Sequence, residues 1–393
     1  MMESQFDRII DRRGTGSLKY DFAVRRGKPA NVLPLWVADM DFQAPPAVLD
    51  ALRERVDHGI FGYSEPGEGY FEALLGWYQE RHGWTPQRRW LVKTPGIVFA
   101  LAMAVRAYTE IGDGVLIQQP VYYPFSEVIE DNNRVLVSNP LENRGGVYQI
   151  NFEDFERCIV EHRVKLFLLC SPHNPVGRVW TREELAAMGD ICLRHGVIVA
   201  SDEIHWDFVW GDNRHTVFST LGEAFEQNCL IFTAPSKTFN MAGLQISNCF
   251  IPNPELRRKF RLEIDRAGYS QHNTMGLAAC QAAYSRGGAW FDELKDYLWD
   301  NISFVRSYLR ENLPEIQLVE PQGTYLLWLD FRALNLTEEE REYLIVNKAG
   351  LWLDSGAIFG AVGEGFERIN IACPRKTLQL ALECLEEAIH GRR

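Results

Sequence analysis

The stretch VKLFLLCSPHNPVGRVWTREELAAMGDICLRHGVIVASDE, residues 164–203, decides the fold. It opens on a run, Val164 to Cys170, that is apolar at nearly every position. It closes on a second such run, beginning at Val197. A strand that is apolar on both faces belongs inside a parallel sheet, covered by helices on either side. Between the runs, TREELAAMGDICLRHG predicts a helix, with Thr181 as N-cap and Gly196 just past its last turn. Strand, helix and strand in that order form a βαβ unit.

The same pattern spreads outward. VLIQ (115–118), CLIFTA (229–234) and ISNCFI (246–251) are further short runs of this kind, several of them expected as buried parallel strands. GIVFALAMAVRAYTEIGDG (96–114) predicts a helix ending at Gly112, and PPAVLDALRERVDHG (45–59) another, with proline at its start and glycine at its end. The alternation predicts an α/β fold with a large, doubly wound, mostly parallel domain over 45–285.

After Pro252 the character changes. NPELRRKFRLEIDRAG and GGAWFDELKDYLWDNISFVRSYLRENLP are helical in spacing. Strand GTYLLWLDF, helix TEEEREYLIVNKAG, strands LWLDSG and RINIAC, and a closing helix from Lys376 follow. They predict a smaller α+β domain over 286–393. Residues 1–44 read as an irregular arm that packs on it.

Composition narrows the function. Against 41 Lys and Arg stand 53 Asp and Glu, a net charge of −12, which disfavours nucleic acid because phosphate binding needs clustered cations. The eight cysteines form no C-x-x-C pair and most lie in apolar runs, which predicts reduced, buried thiols in the cytoplasm and no zinc site. The polar opening MMESQFDRIIDRRG does not read as a secretory signal, and no segment approaches eighteen unbroken apolar residues, so no membrane partner is expected.

Chemistry-bearing residues gather after the strands. Ligands of open α/β sheets collect at the carboxyl ends of strands. Lys237 follows CLIFTA, Asp202 follows VIVAS and Asn174 follows VKLFLLC. Each has a bland alternative: a solvated lysine, a turn-capping aspartate, a turn asparagine before proline. His205 lies three residues beyond Asp202. Gly96, Ile97 and Val98 open a helix whose free N–H groups suit a phosphate. Tyr122 and Tyr123 follow VLIQ, where one ring could stack on a ligand or both could be core aromatics. Arg368 heads RINIAC, placed either for bidentate carboxylate capture or for a surface ion pair.

Taken together, FDRIIDRRGTGSLKYD, LPLWVADMDF, GIFGYSEPGEGY, PVYYPF, SPHNPVGRVW, SDEIHWDFVW, APSKTFNMAGLQ and RINIACPR resemble the fold-type I pyridoxal 5′-phosphate (PLP) enzymes of the class I/II aminotransferase group. The resemblance runs over nearly the whole chain and is strongest to the β-C–S lyase branch, the cystathionine β-lyase-like enzymes. It implies an aspartate aminotransferase-like fold. It implies a Schiff base between PLP and Lys237, with Asp202 at the ring nitrogen, Asn174 and His205 at the ring oxygen, and Tyr122 stacked on the ring. Gly96, Ile97, Val98 and Ser236 would contact the phosphate, joined by Tyr63 from a neighbouring subunit, hence a homodimer with shared sites. Arg368 would grip the α-carboxylate of a small amino-acid substrate, Trp36, Ala38 and Asp39 would cover the pocket, and Tyr123 would line it as a second catalytic candidate beside Lys237.

Two departures from the common aminotransferase pattern stand out, over three positions. A phosphate-binding serine three residues before the lysine and an arginine eight after it are replaced by Ala234 and Gln245, and His205 stands where many relatives have tyrosine. The first departure favours the lyase branch. The expected activity is β-elimination of a thiol from L-cystathionine, L-cysteine or an S-substituted cysteine, giving pyruvate and ammonia. An aminotransferase is the alternative, and a regulatory protein on the same fold a third reading.

Overall fold

The computed structural model describes residues 4–391. Seven strands form the main sheet, in the order Leu91–Thr94, Ser247–Phe250, Cys229–Thr233, Ile198–Asp202, Leu166–Cys170, Gly114–Ile117 and Val135–Ser138. Six of them run one way. Only Ser247–Phe250 is reversed, antiparallel to both of its neighbours. This corrects the reading of ISNCFI as a parallel strand. Its predecessor, Cys229–Thr233, is followed by the one-turn helix Pro235–Thr238 and a turn at Ala242–Leu244, which fold the chain back without a crossover helix.

The continuous apolar runs follow from two cores, one on each face of the sheet. In Leu166–Cys170, Phe167 and Leu169 enter one core while Leu166, Leu168 and Cys170 enter the other, as a period of two requires. The helix predicted between the strands spans Arg182–His195. Thr181 and Glu184 form a reciprocal capping box at its start, and Gly196 takes the left-handed conformation at its end. The helix expected over 96–112 is shorter, Ile97–Tyr108. Thr109 is extended and turns its hydroxyl back onto the carbonyl of Val105, so the remaining residues lead into the next strand.

The second sheet holds four antiparallel strands in the order Gln317–Val319, Leu326–Asp330, Phe366–Asn370 and Asp354–Ser355. Segment 337–350 is not one α-helix. Glu338–Glu342 is α-helical and Tyr343–Lys348 is π-helical. The eight cysteines are buried and free. Among the described residues no helix is long and apolar enough to cross a membrane.

The amino-terminal arm is tied down by polar contacts. Leu33–Pro34 pairs in parallel with Leu351–Trp352, and Trp36 stacks on Trp352 at 4.3 Å. Arg12, Lys19 and Tyr20 converge on Asp41 at 2.8, 2.9 and 3.0 Å, and Arg12 also holds Asp39. A fully buried lysine is tolerated only with such partners. Lys19 and Asp41 therefore form an interior ion pair of the arm, with Arg12 joining it from the half-buried side.

Candidate active site

The carboxyl ends of the parallel strands meet at one cavity of about 220 Å³. It is lined by Gly96, Ile97 and Val98 at the head of helix Ile97–Tyr108, and by Tyr122, Asn174 and Asp202. His205, Ser236, Lys237 and Ala38 complete the ring of residues expected there. The place is physically determined. The strand order reverses beside Gly114–Ile117, and at such a switch the loops after neighbouring strands part and leave a crevice.

Asp202 ends its strand and is only 5% exposed. Burial pushes its carboxyl up to about 7, against the N–H of Ile204 and the charge of Lys237, which act in the other direction. Lys237 sits in the turn Pro235–Thr238 and donates from Nζ to the carbonyl of Ala38 at 2.7 Å. Burial lowers its amine to about 8, with Asp39 opposing and Arg368 adding to the effect. Tyr325 donates to the same carbonyl at 2.9 Å. His205 is held well below its ordinary pKa, mainly by burial and further by Lys237 and Arg368, so its ring is neutral. Its Nδ1 is buried with no partner.

Arg368 lies on the inner strand Phe366–Asn370 and is 2% exposed. It donates from Nη1 to Asn174 Oδ1 at 3.0 Å and from Nη2 to the carbonyl of Trp36 at 2.9 Å. It also pairs with Asp354, its cross-strand neighbour, while its Nε has no partner. The guanidinium thus joins the small sheet, the arm and the large sheet at one point.

Other expected residues lie outside this cavity. Trp36 and Tyr123 line a second, larger one on the far side of Ala38 and Tyr122. Asp39 lines neither cavity and is engaged by Arg12. Tyr63 is 90% exposed and lines neither cavity. Ala234 lines the smaller cavity, where its methyl offers no hydrogen bond, and Gln245 does not line it.

Sequence reasoning missed Asp354 and Tyr325, whose positions carry no local motif, and Arg12, which lies within FDRIIDRRGTGSLKYD but was given no role. It also missed a polar layer behind the site. Asp207 accepts hydrogen bonds from Thr238 Oγ1 at 2.5 Å and Trp77 Nε1 at 3.0 Å, and meets His82 Nε2 at 2.9 Å. Glu203 meets His215 at 2.7 Å and accepts from Ser201 and the Phe218 N–H. Thr238 and Glu203 each follow a residue that lines the cavity, Lys237 and Asp202. Their anchoring behind the site restrains the two functional side chains in front.

The chain is similar to known proteins over nearly its whole length. A family model described as aminotransferase class I and II matches residues 30–385. Cystathionine beta-lyase PatB of Bacillus subtilis strain 168 is 44% identical over 384 residues, 98% of this chain and 99% of that protein. Protein MalY of Escherichia coli K12 is 34% identical over 388 residues, again 98% and 99%. The crystal structure of cystalysin from Treponema denticola, which contains pyridoxal 5′-phosphate, superposes with a TM-score of 0.95 at 39% identity and covers both chains fully.

Proposed function

The chain belongs to the aminotransferase class I and II family, and from that premise we propose that it is a PLP-dependent carbon–sulfur β-lyase. The observation that carries the reading is that Lys237 and Asp202 line one cavity at the strand ends, in a chain 44% identical to a cystathionine beta-lyase. The substrates would be L-cystathionine, L-cysteine or other S-substituted cysteines. Water is consumed, and pyruvate, ammonium and a free thiol are released.

The residues fit the cofactor. A Cβ built on Gly96 meets no protein atom within 4 Å, so the glycine leaves open space at a helix N-terminus suited to a phosphate. The orphaned Nδ1 of His205 and the buried carboxylate of Asp202, which among the described residues accepts only the Ile204 N–H, are polar groups awaiting a partner. In this reading Lys237 would hold the cofactor, Asp202 would serve its ring nitrogen, Asn174 and His205 its ring oxygen, Tyr122 its ring, and Ser236 with residues 96–98 its phosphate. When bound, PLP supplies an electron sink for negative charge at the substrate α-carbon.

Arg368 receives the α-carboxylate, sharing its guanidinium with Asp354 or displacing it. Trp36 and Ala38 close the pocket from the arm, with Asp39 behind them, and Tyr123 lines it. Lys237 Nζ, which points into this site beside the carbonyl of Ala38, would act as the base that takes the substrate α-proton. Its depressed pKa favours the neutral amine that this step needs. Charge then expels the β-substituent. A thiol, with a free pKa of ~8.5, leaves far more readily than an alcohol.

Tyr63 supports a homodimer with shared sites. Ile60, Phe61 and Tyr63 are 70%, 60% and 90% exposed, an apolar segment of the kind that partners cover. In the proposed dimer Tyr63 reaches the neighbouring subunit's phosphate site. The free, buried cysteines support a cytoplasmic location.

The test is direct. L-cystathionine should yield pyruvate without any added keto acid, and pyruvate that appears only with one would make the enzyme an aminotransferase. Borohydride reduction should fix the cofactor to the peptide carrying Lys237, and Lys237→Ala should abolish both adduct and turnover.

A further inference from the structure

Beyond Ala38 and Tyr122 the larger cavity, of about 640 Å³, runs between the arm, helix Pro124–Glu130 and the π-helical segment of the small sheet's side. Its walls include Trp36, Trp352 and Ile358, together with several charged groups. Most of those charges cancel in place. Asp354 is held by Arg368, Glu342 by Lys28 and Glu338 by Arg341, while burial pushes the Glu367 carboxyl, also against Arg341, up to about 8 and so leaves it neutral. Two remain. Among the described residues neither the guanidinium of Arg26 nor the carboxylate of Glu127 forms an ion pair or a side-chain hydrogen bond. Arg26 lies over the Trp36 ring, its Cζ 5.2 Å from the ring centre. Both charges line this cavity together with Tyr123.

A third group is unmatched. Trp36 is 7% exposed and lines the cavity, yet its Nε1 donor is buried with no partner. A buried donor without an acceptor is a cost that a ligand can remove. Among the described residues the cavity therefore offers an unpaired cation and an unpaired anion, with the unmatched Trp36 donor in its wall.

We propose that this cavity receives the thiol half of the substrate, and that Arg26 and Glu127 select a thiol half carrying its own carboxylate and ammonium. The inference rests on the lyase reading and deepens it. It makes the preferred substrate a thioether joining two amino acids rather than a simple alkyl cysteine. With the α-carboxylate at Arg368, whose ion-pair partner Asp354 lines the larger cavity, the β-substituent has that cavity before it. The distal carboxylate would meet Arg26 and Trp36 Nε1, and the distal ammonium Glu127.

The experiment compares holoenzymes of the wild type, Arg26→Gln and Glu127→Gln on L-cystathionine and on S-methyl-L-cysteine, with pyruvate as the readout. Each substitution removes a charge-assisted hydrogen bond. It should lower kcat/KM for cystathionine about five- to tenfold, chiefly through KM, and leave S-methylcysteine within about twofold. Equal losses on both substrates, or none on cystathionine, would overturn the subsite while the lyase reading stood. A wild-type enzyme that releases pyruvate from neither substrate would overturn both.

Discussion

Asp202 shows how one position carries opposite energetics in two states. In the protein without cofactor its carboxyl is raised by burial from 3.8 to about 7. A carboxyl raised on folding adds stability that is complete below its unfolded pKa and lost as pH climbs through its folded one. Asp202→Asn removes that dependence. The cofactor-free variant should therefore unfold several degrees above the cofactor-free wild type at pH 8, with the gap closing as pH falls toward 4. Thermal denaturation across pH reads this directly, and a gap that widens on acidification would refute the assignment. With cofactor the order should reverse, because the amide cannot hold a cationic ring nitrogen. Lys237, Asp202 and Asn174 were legible in the sequence because each follows a recognisable strand. Asp354 was not, since its contact with Arg368 arises from strand pairing between segments that carry no shared local motif.

At the scale of elements, the helix Arg182–His195 was legible to its ends, because its capping box and terminal glycine are local signals. The π-helical turn Tyr343–Lys348 was not, because helical periodicity in the sequence does not distinguish the two windings. The layer behind the site belongs to this scale as well. Burial pushes Asp207 up, but donors from His82, Thr238 and Trp77 outweigh it and hold the carboxyl below its usual range. Asp207→Ala strands three buried donors at once and frees the turn Pro235–Thr238. It should cost about 3–5 kcal/mol in urea unfolding, as for a broken buried ion pair. A loss under 1 kcal/mol would mean that the layer does not brace the lysine.

For the whole molecule, a central question is how two sheets and an arm make one site. Residues 33–34 pair with 351–352, and Arg368 bridges Trp36, Asn174 and Asp354, so arm, large sheet and small sheet share a junction. The proposed dimer extends this outward. In sedimentation velocity the wild type should run at twice the chain mass. Phe61→Asp, which puts a charge into the exposed apolar segment, should shift it toward monomer and weaken cofactor retention together. A wild type that sediments as a monomer would end the shared-site reading.

The sequence by itself determined the strands and helices and the order of functional residues along them. These rest on local periodicity, capping and turn chemistry, and here on likeness to a known family. Only the tertiary structure decided that Ser247–Phe250 runs against its neighbours, that Lys19 and Asp41 of the arm form an interior ion pair, and which charges around the larger cavity remain unpaired. Those facts depend on which distant segments meet, and burial then sets the worth of every charge that does.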